Sequence, residues 1–195
     1  MKEALANLIR TTILQPDEEE IGEILALFHP RSLAKGGIFK DHKRVCQEVG
    51  FIVSGSTRHF ALKKNGDVAT VKVTQPNNMV MDFISFRMGK PTVITIEALE
   101  PTTLLVAPTR GVKKLLRHNL TLNRFIREYM AENMVELGQL HLLFLTGTAR
   151  ERYEFLLTHN PGLLKSIPLR FIASIIGITP TQLSRIRKKR SSKSD

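Results

Sequence analysis

The sequence predicts an α+β fold in which an antiparallel β-roll of jelly-roll type is joined by a long helix to a small α-helical helix-turn-helix unit. Three observations carry this prediction: closely spaced β-rich segments between residues 31 and 108, an uninterrupted helical stretch over 121–146, and a two-helix pattern over 171–190.

At the start, Leu5, Leu8, Ile9 and Ile13 fall on one helical face. A second short helix follows, carrying Ile21, Ile24, Leu25 and Phe28. The acidic run Glu18 to Glu20 opens it, which suits the positive end of a helix dipole better than a catalytic carboxylate pair. The texture then changes. GFIVSG, STRHFAL, VATVKV, VITIEA and TTLLVAP are short, rich in β-branched residues and bounded by Gly or Pro. Asn65-Gly66 is the best local hairpin signal, and Gly36, Gly37, Gly50, Gly55 and Gly89 mark other corners. Such close spacing favours antiparallel pairing.

After a short basic helical stretch around 110–117, the long helix begins. Its Ile126, Met130, Asn133, Leu137, Leu140 and Phe144 follow alternating spacings of four and three, the period of a coiled-coil seam. A single polar Asn133 within it suits the register of a homodimer, and self-pairing is the expectation. The competing explanation is packing against the β-roll, to which Phe125, Tyr129 and Val135 must in part contribute. Beyond a hinge near Gly147, Thr148 and Glu151 form a capping box for a helix that ends near Asn160, Pro161 and Gly162.

The helix-turn-helix is the clearest pattern. Ile172 and Ile176 stripe a first helix over about 169–176, Leu183 and Ile186 stripe the second, and Ile178 fills the turn. Ala173 is small where the helices cross, and Gly177 stands where the first must stop. Thr179, Pro180 and Gln182 give the second helix a hydroxyl cap, a proline at its first position and a glutamine that reaches back. Thr179, Thr181, Gln182, Ser184, Arg185, Lys188 and Lys189 are the residues expected to meet double-stranded DNA, as base-edge readers and phosphate ligands. A basic helix that merely solvates a chain end needs none of the turn glycine, small crossing residue and capping box.

Charge agrees. Of the net +11, residues 161–195 supply +7, with eight Lys or Arg against one Asp, so the cation excess is local. The single Cys46 excludes an intrachain disulfide and any cluster held by several thiolates of one chain. His42 and Cys46 sit at i and i+4, but in a loop with no further pair in register, so no metal site is expected. No export signal and no run of roughly 20 apolar residues is present, so a cytoplasmic protein without a membrane partner is expected. A Gly-rich phosphate loop, G-x-S-x-G, H-E-x-x-H and a convergent acid/base set are all missing from the sequence, and no enzyme is expected.

The order of parts, together with KGGIF, GFIVSG, IEALE, ERYEFLL, NPGLL, IPLRFIAS and GITPTQLSRIRKK, resembles the Crp/Fnr family of bacterial transcription regulators over essentially the whole chain. The likeness is greatest to a branch common in Bacteroidetes-type bacteria. It implies a cyclic-nucleotide-binding-like domain over 1–120, a dimerisation helix over 121–147 and a DNA-binding domain over 148–195. It also implies sequence-specific transcription control by a homodimer at an imperfect palindrome, with RNA polymerase and an unidentified small-molecule effector as further partners, and no resident cofactor.

The chain departs from the family in two places. At the DNA-reading positions it carries Pro180, Thr181 and Arg185, where the best-known relatives carry Arg, Glu and Arg. At the positions that hold ribose and cyclic phosphate it carries Phe83 and Thr92 instead of Glu and Arg, so ordinary cyclic AMP binding is not expected. The cysteine count excludes the oxygen-sensing branch, and nothing supports haem. The sequence ends five residues after Arg190, where many relatives continue into a β-wing, so fewer backbone contacts to DNA are expected. The alternative is a ligand-sensing or protein-interaction module whose helix-turn-helix has lost specific DNA recognition.

Overall fold

The structure, a computed structural model, describes residues 1–160, 162 and 167–191. Pro161, most of the NPGLL segment and the tail after Ser191 lie outside the described residues.

Two helices open the chain, α1 (Lys2–Thr12) and α2 (Glu18–Leu27). Asp17 starts α2 by accepting the backbone N–H groups of Glu19 and Glu20 at 2.8 and 3.0 Å, satisfying donors that no turn of the helix reaches. Eight strands follow: β1 (His29–Leu33), β2 (Ile38–Lys40), β3 (Glu48–Ser54), β4 (Thr57–Leu62), β5 (Val68–Thr74), β6 (Met79–Val80), β7 (Thr95–Ala98) and β8 (Thr102–Pro108). They form two antiparallel four-stranded sheets, ordered β1-β8-β3-β6 and β2-β7-β4-β5. Between β6 and β7 lies a short helix, α3 (Phe83–Met88), capped by the Asp82 carboxylate and ended by Gly89 at φ 66°.

Alternation along β3 and β8 explains the continuous apolar runs read in the sequence. Ile52, Leu104 and Val106 point between the sheets, against Phe39 and Ile96 of the second sheet. Their neighbours Phe51, Leu105 and Ala107 point the other way, onto α1, α2, α4 (Thr109–Leu115) and the first turns of α5 (Leu120–Thr146). The central strands β3 and β8 are therefore buried on both faces, whereas β1 has no buried residue. Glu20 of α2 also accepts the N–H groups of Leu120 and Thr121 at 2.9 and 2.7 Å, so a side chain remote in sequence caps the long helix.

The Asn65-Gly66 signal does mark the β4–β5 hairpin, within a loop over 63–67. Gly66, at φ 87°, donates to the Lys63 carbonyl, and Lys63 donates to the Asp67 carbonyl. After α5 come α6 (Ala149–His159), α7 (Leu169–Ile175) and α8 (Pro180–Ser191). They share a separate core built on Tyr153, Leu156, Phe171, Ile172, Ile176 and Leu183, which also takes in Val73 of β5.

Candidate nucleic-acid interface and sensor cavity

The terminal helices α7 and α8 are joined by a short turn and packed on one core. Ile172, Ala173, Ile176 and Leu183 have no exposed surface, and the Ile178 N–H closes the turn on the Ala173 carbonyl at 2.9 Å. Gly177 has φ 71°, and a methyl placed there would lie 2.9 Å from the Phe144 ring. Its lack of a side chain is thus required twice, by its own backbone and by α5. Thr179 and Gln182 complete the capping box: the Thr179 N–H donates to Oε1 of Gln182 at 2.9 Å, and the Gln182 N–H donates to Oγ1 of Thr179 at 3.2 Å.

All seven predicted DNA-facing residues are exposed. They are not equivalent. Thr179 and Gln182 are engaged with each other, and Ser184 donates to the Pro180 carbonyl at 3.0 Å. Thr181 and Arg185 stand outward with Lys188, Lys189 and Arg187, a further exposed cation that the sequence analysis did not single out. From Phe155 to Ser194 the sequence has no Asp or Glu, so the charge of this stretch is entirely cationic.

Arg152 secures the unit to α5. Its guanidinium donates to the carbonyls of Ile176 at 3.0 Å and Gly147 at 3.1 Å, and lies 4.8 Å from the centroid of the Phe144 ring. These contacts span the break between α5 and α6 at Gly147, where the hinge is expected. Nothing in residue spacing identifies Arg152, because its partners come from both sides of the break between α5 and α6.

A cavity of about 890 Å³ lies beside β5, between α3, α5, α6 and α7. Phe83, Ile84 and Leu137 give it an apolar mouth, while Lys72, Asn133 and Glu136 line its polar side. The Lys72 ammonium donates to Oδ1 of Asn133 at 3.0 Å, and desolvation holds its pKa below the usual lysine range, partly offset by Glu136. His59, buried nearby, is pushed down to about 4, chiefly by desolvation and then by the Lys72 charge, so it is neutral at pH 7.

The two positions expected to mark a degenerate nucleotide site differ in surroundings. Phe83 is 39 % exposed at the cavity mouth. Thr92 is tied into an internal ion pair: Nζ of Lys40 lies 2.7 Å from Asp82, 2.9 Å from Oγ1 of Thr92 and 2.8 Å from the Ile94 carbonyl, and the Thr92 hydroxyl donates to Asp82. Burial works to raise the Asp82 carboxyl, yet the bonds from Lys40, Thr92 and Ser85 hold it below its ordinary value. Lys40 therefore brings a cation close to the expected phosphate position, but Asp82 neutralises it. Sequence spacing carries no sign of this, since Lys40 lies on β2, far along the chain.

The six positions predicted for a dimer seam are divided by the structure. Ile126 packs on the N-terminal core, Asn133 holds Lys72, Leu140 lines the cavity, and Phe144 meets Arg152 and Gly177. Met130 is half-buried and Leu137 is exposed. The large apolar side chains α5 leaves open are Leu120, Met134, Val135, Leu137, Leu142, Phe144 and Leu145. Met134, Leu137, Leu142 and Leu145 among them follow one stripe, which shares Leu137 with the predicted seam and is centred roughly 100° round the helix from it.

His42 and Cys46 do not converge: the His42 ring faces Thr95 and Asp41, while the Cys46 thiol donates to the Glu48 carbonyl. Among the described residues no group of His, Cys, Asp and Glu is placed to hold a metal ion, and no helix is long and apolar enough to cross a membrane.

Comparison with known proteins agrees with this architecture. Residues 30–119 match the cyclic nucleotide-binding domain family. No curated protein sequence matches the chain. Among solved structures, FixK2 from Bradyrhizobium japonicum is similar at 16 % identity and a TM-score of 0.73, with 86 % of each chain covered. A CooA mutant from Carboxydothermus hydrogenoformans is similar at 16 % identity and a TM-score of 0.68, covering 87 % of this chain and 79 % of that one. The catabolite activator protein of Thermus thermophilus gives 19 % identity and a TM-score of 0.58, covering 94 % of this chain and 87 % of that one. The chain thus has the α+β fold of these proteins, with a cyclic-nucleotide-binding-like β-roll, a long helix and further helices after it.

Proposed function

We propose that this protein is a transcription regulator of the Crp/Fnr type that binds DNA as a homodimer. The observation that carries the proposal is the exposed cationic face of α8, set on a well-packed helix-turn-helix in a stretch without acids. Likeness to regulators of this type supports it. Residues 1–120 serve as sensor, 121–147 as dimerisation helix and 148–195 as DNA-binding domain. Pairing runs through the open stripe of Met134, Leu137, Leu142 and Leu145, with Gly138, which has open space around it, between the two paired helices. Two copies of α8 then meet half-sites about 34 Å apart on an imperfect palindrome.

Arg185 is the principal base reader, by a two-pronged contact to guanine, and Thr181 reads beside it. The sensor does not take cyclic AMP in the ordinary way, because Asp82 already neutralises the nearby cation and Phe83 cannot accept from a ribose hydroxyl. Its effector is a small molecule seated in the cavity lined by Lys72 and Asn133. Selection of bound sequences from randomised duplexes tests the function. The expected result is an inverted repeat whose affinity falls steeply with salt; random recovery with a shallow salt dependence overturns it.

A further inference from the structure

We infer that the helix-turn-helix is latched to the free edge of the second sheet, and that this latch pre-sets the orientation in which α8 meets its ligand. The inference deepens the proposed function by supplying an orienting device within the chain.

In the order β2-β7-β4-β5, strand β5 is an edge, bonded only to β4. The N–H and C=O of an edge residue that point away from the sheet need a partner if they are buried. Thr70 is such a residue: it is 2 % exposed, and its N–H donates to Oγ of Ser174 in α7 at 2.8 Å. The same hydroxyl donates back to the Thr70 carbonyl at 3.4 Å. One serine therefore stands in for a neighbouring strand at both backbone atoms.

One turn earlier on α7, Phe171 presents its ring to Arg58 of β4, 4.4 Å from centroid to guanidinium carbon. Arg58 is held for this contact by Glu97 at 2.7 Å and by the Phe60 ring at 4.6 Å. Val73 of β5 completes the attachment by entering the core of the terminal helices, and is 6 % exposed. The three contacts lie on one side of α7, while the reading face of α8 stays exposed. Docking therefore orients the recognition helix without covering it. A unit already held in place loses less freedom on binding DNA than one swinging from α5 alone.

Amide exchange at Thr70, read by NMR on the full chain, tests the latch directly, because no strand protects that N–H. In Ser174→Ala the exchange is expected to rise about tenfold or more, with Ser174→Thr retaining protection. Operator affinity in Ser174→Ala combined with Arg58→Gln is expected to fall about tenfold at unchanged dimer content. Unchanged Thr70 exchange in Ser174→Ala overturns the latch. Raised exchange with wild-type operator affinity overturns its orienting role. Should the wild-type chain bind no duplex, the proposed function falls, and Thr70 exchange still decides whether the contact holds the unit.

Discussion

The Lys40 ammonium lies 2.7 Å from the Asp82 carboxylate, with both side chains 3 % exposed. A buried pair of this kind is strongly destabilised by removing one partner, because the other charge is left desolvated. Lys40→Met is therefore expected to cost about 3–5 kcal/mol, more than the double change with Asp82→Asn. Denaturant unfolding of the two variants measures the difference; equal costs would mean that the pair is not coupled.

The depressed pKa of His59 sets a pH dependence. Its folded value is about 4 against an ordinary 6.5, so the unfolded chain binds a proton more readily than the folded one. The stability this contributes is present above about 6.5 and is lost as pH falls toward about 4, where the loss levels off. Asp82, also depressed, adds a loss at lower pH. Replacing His59 with Gln is expected to flatten the stability curve between those two values, checked by thermal unfolding across that range.

Gly177→Ala is expected to destabilise by about 1–3 kcal/mol, since a side chain at positive φ is strained and this one also meets Phe144. Adding Phe144→Leu should recover the steric share and leave the backbone share. Calorimetry on the single and double variants separates the two contributions.

On DNA, Arg185→Ala should cost about 1–3 kcal/mol and relax preference at one base position. Lys188→Ala should instead weaken all sequences alike and lower the salt slope by about 1. Binding titrations at several salt concentrations distinguish the two behaviours.

Charge placed on the open stripe of α5 should block pairing. Leu137→Glu, at a side chain 67 % exposed in the single chain, is expected to yield monomer by light scattering with an intact circular dichroism spectrum. Retention of dimer would move the interface elsewhere.

Much of this architecture is legible in the residues because its signals are local. The Thr148–Glu151 and Thr179–Gln182 capping boxes span one helical turn, and Gly66 and Gly177 announce their turns by themselves. The stripes of α1 and the strand runs of β3 and β8 follow from periodicity. Strands β1, β2 and β6 and helix α3 escaped: β2, β6 and α3 are too short for a period to show, and β1 (HPRSL) contains a proline and a single large apolar side chain.

Other features depend on which elements come to lie side by side. Position 92 is visibly unlike an arginine, yet only packing brings Lys40, 52 residues away, to its hydroxyl. Ser174 and Thr70 are 104 residues apart, and neither is unusual alone. The spacing of α5 predicts an apolar seam, but the way the helix packs against α1, α2 and α6 decides which stripe remains open. Local stereochemistry is written into short stretches of chain; partners across the fold are chosen by docking, where a rotation of one residue exchanges the buried face for the free one.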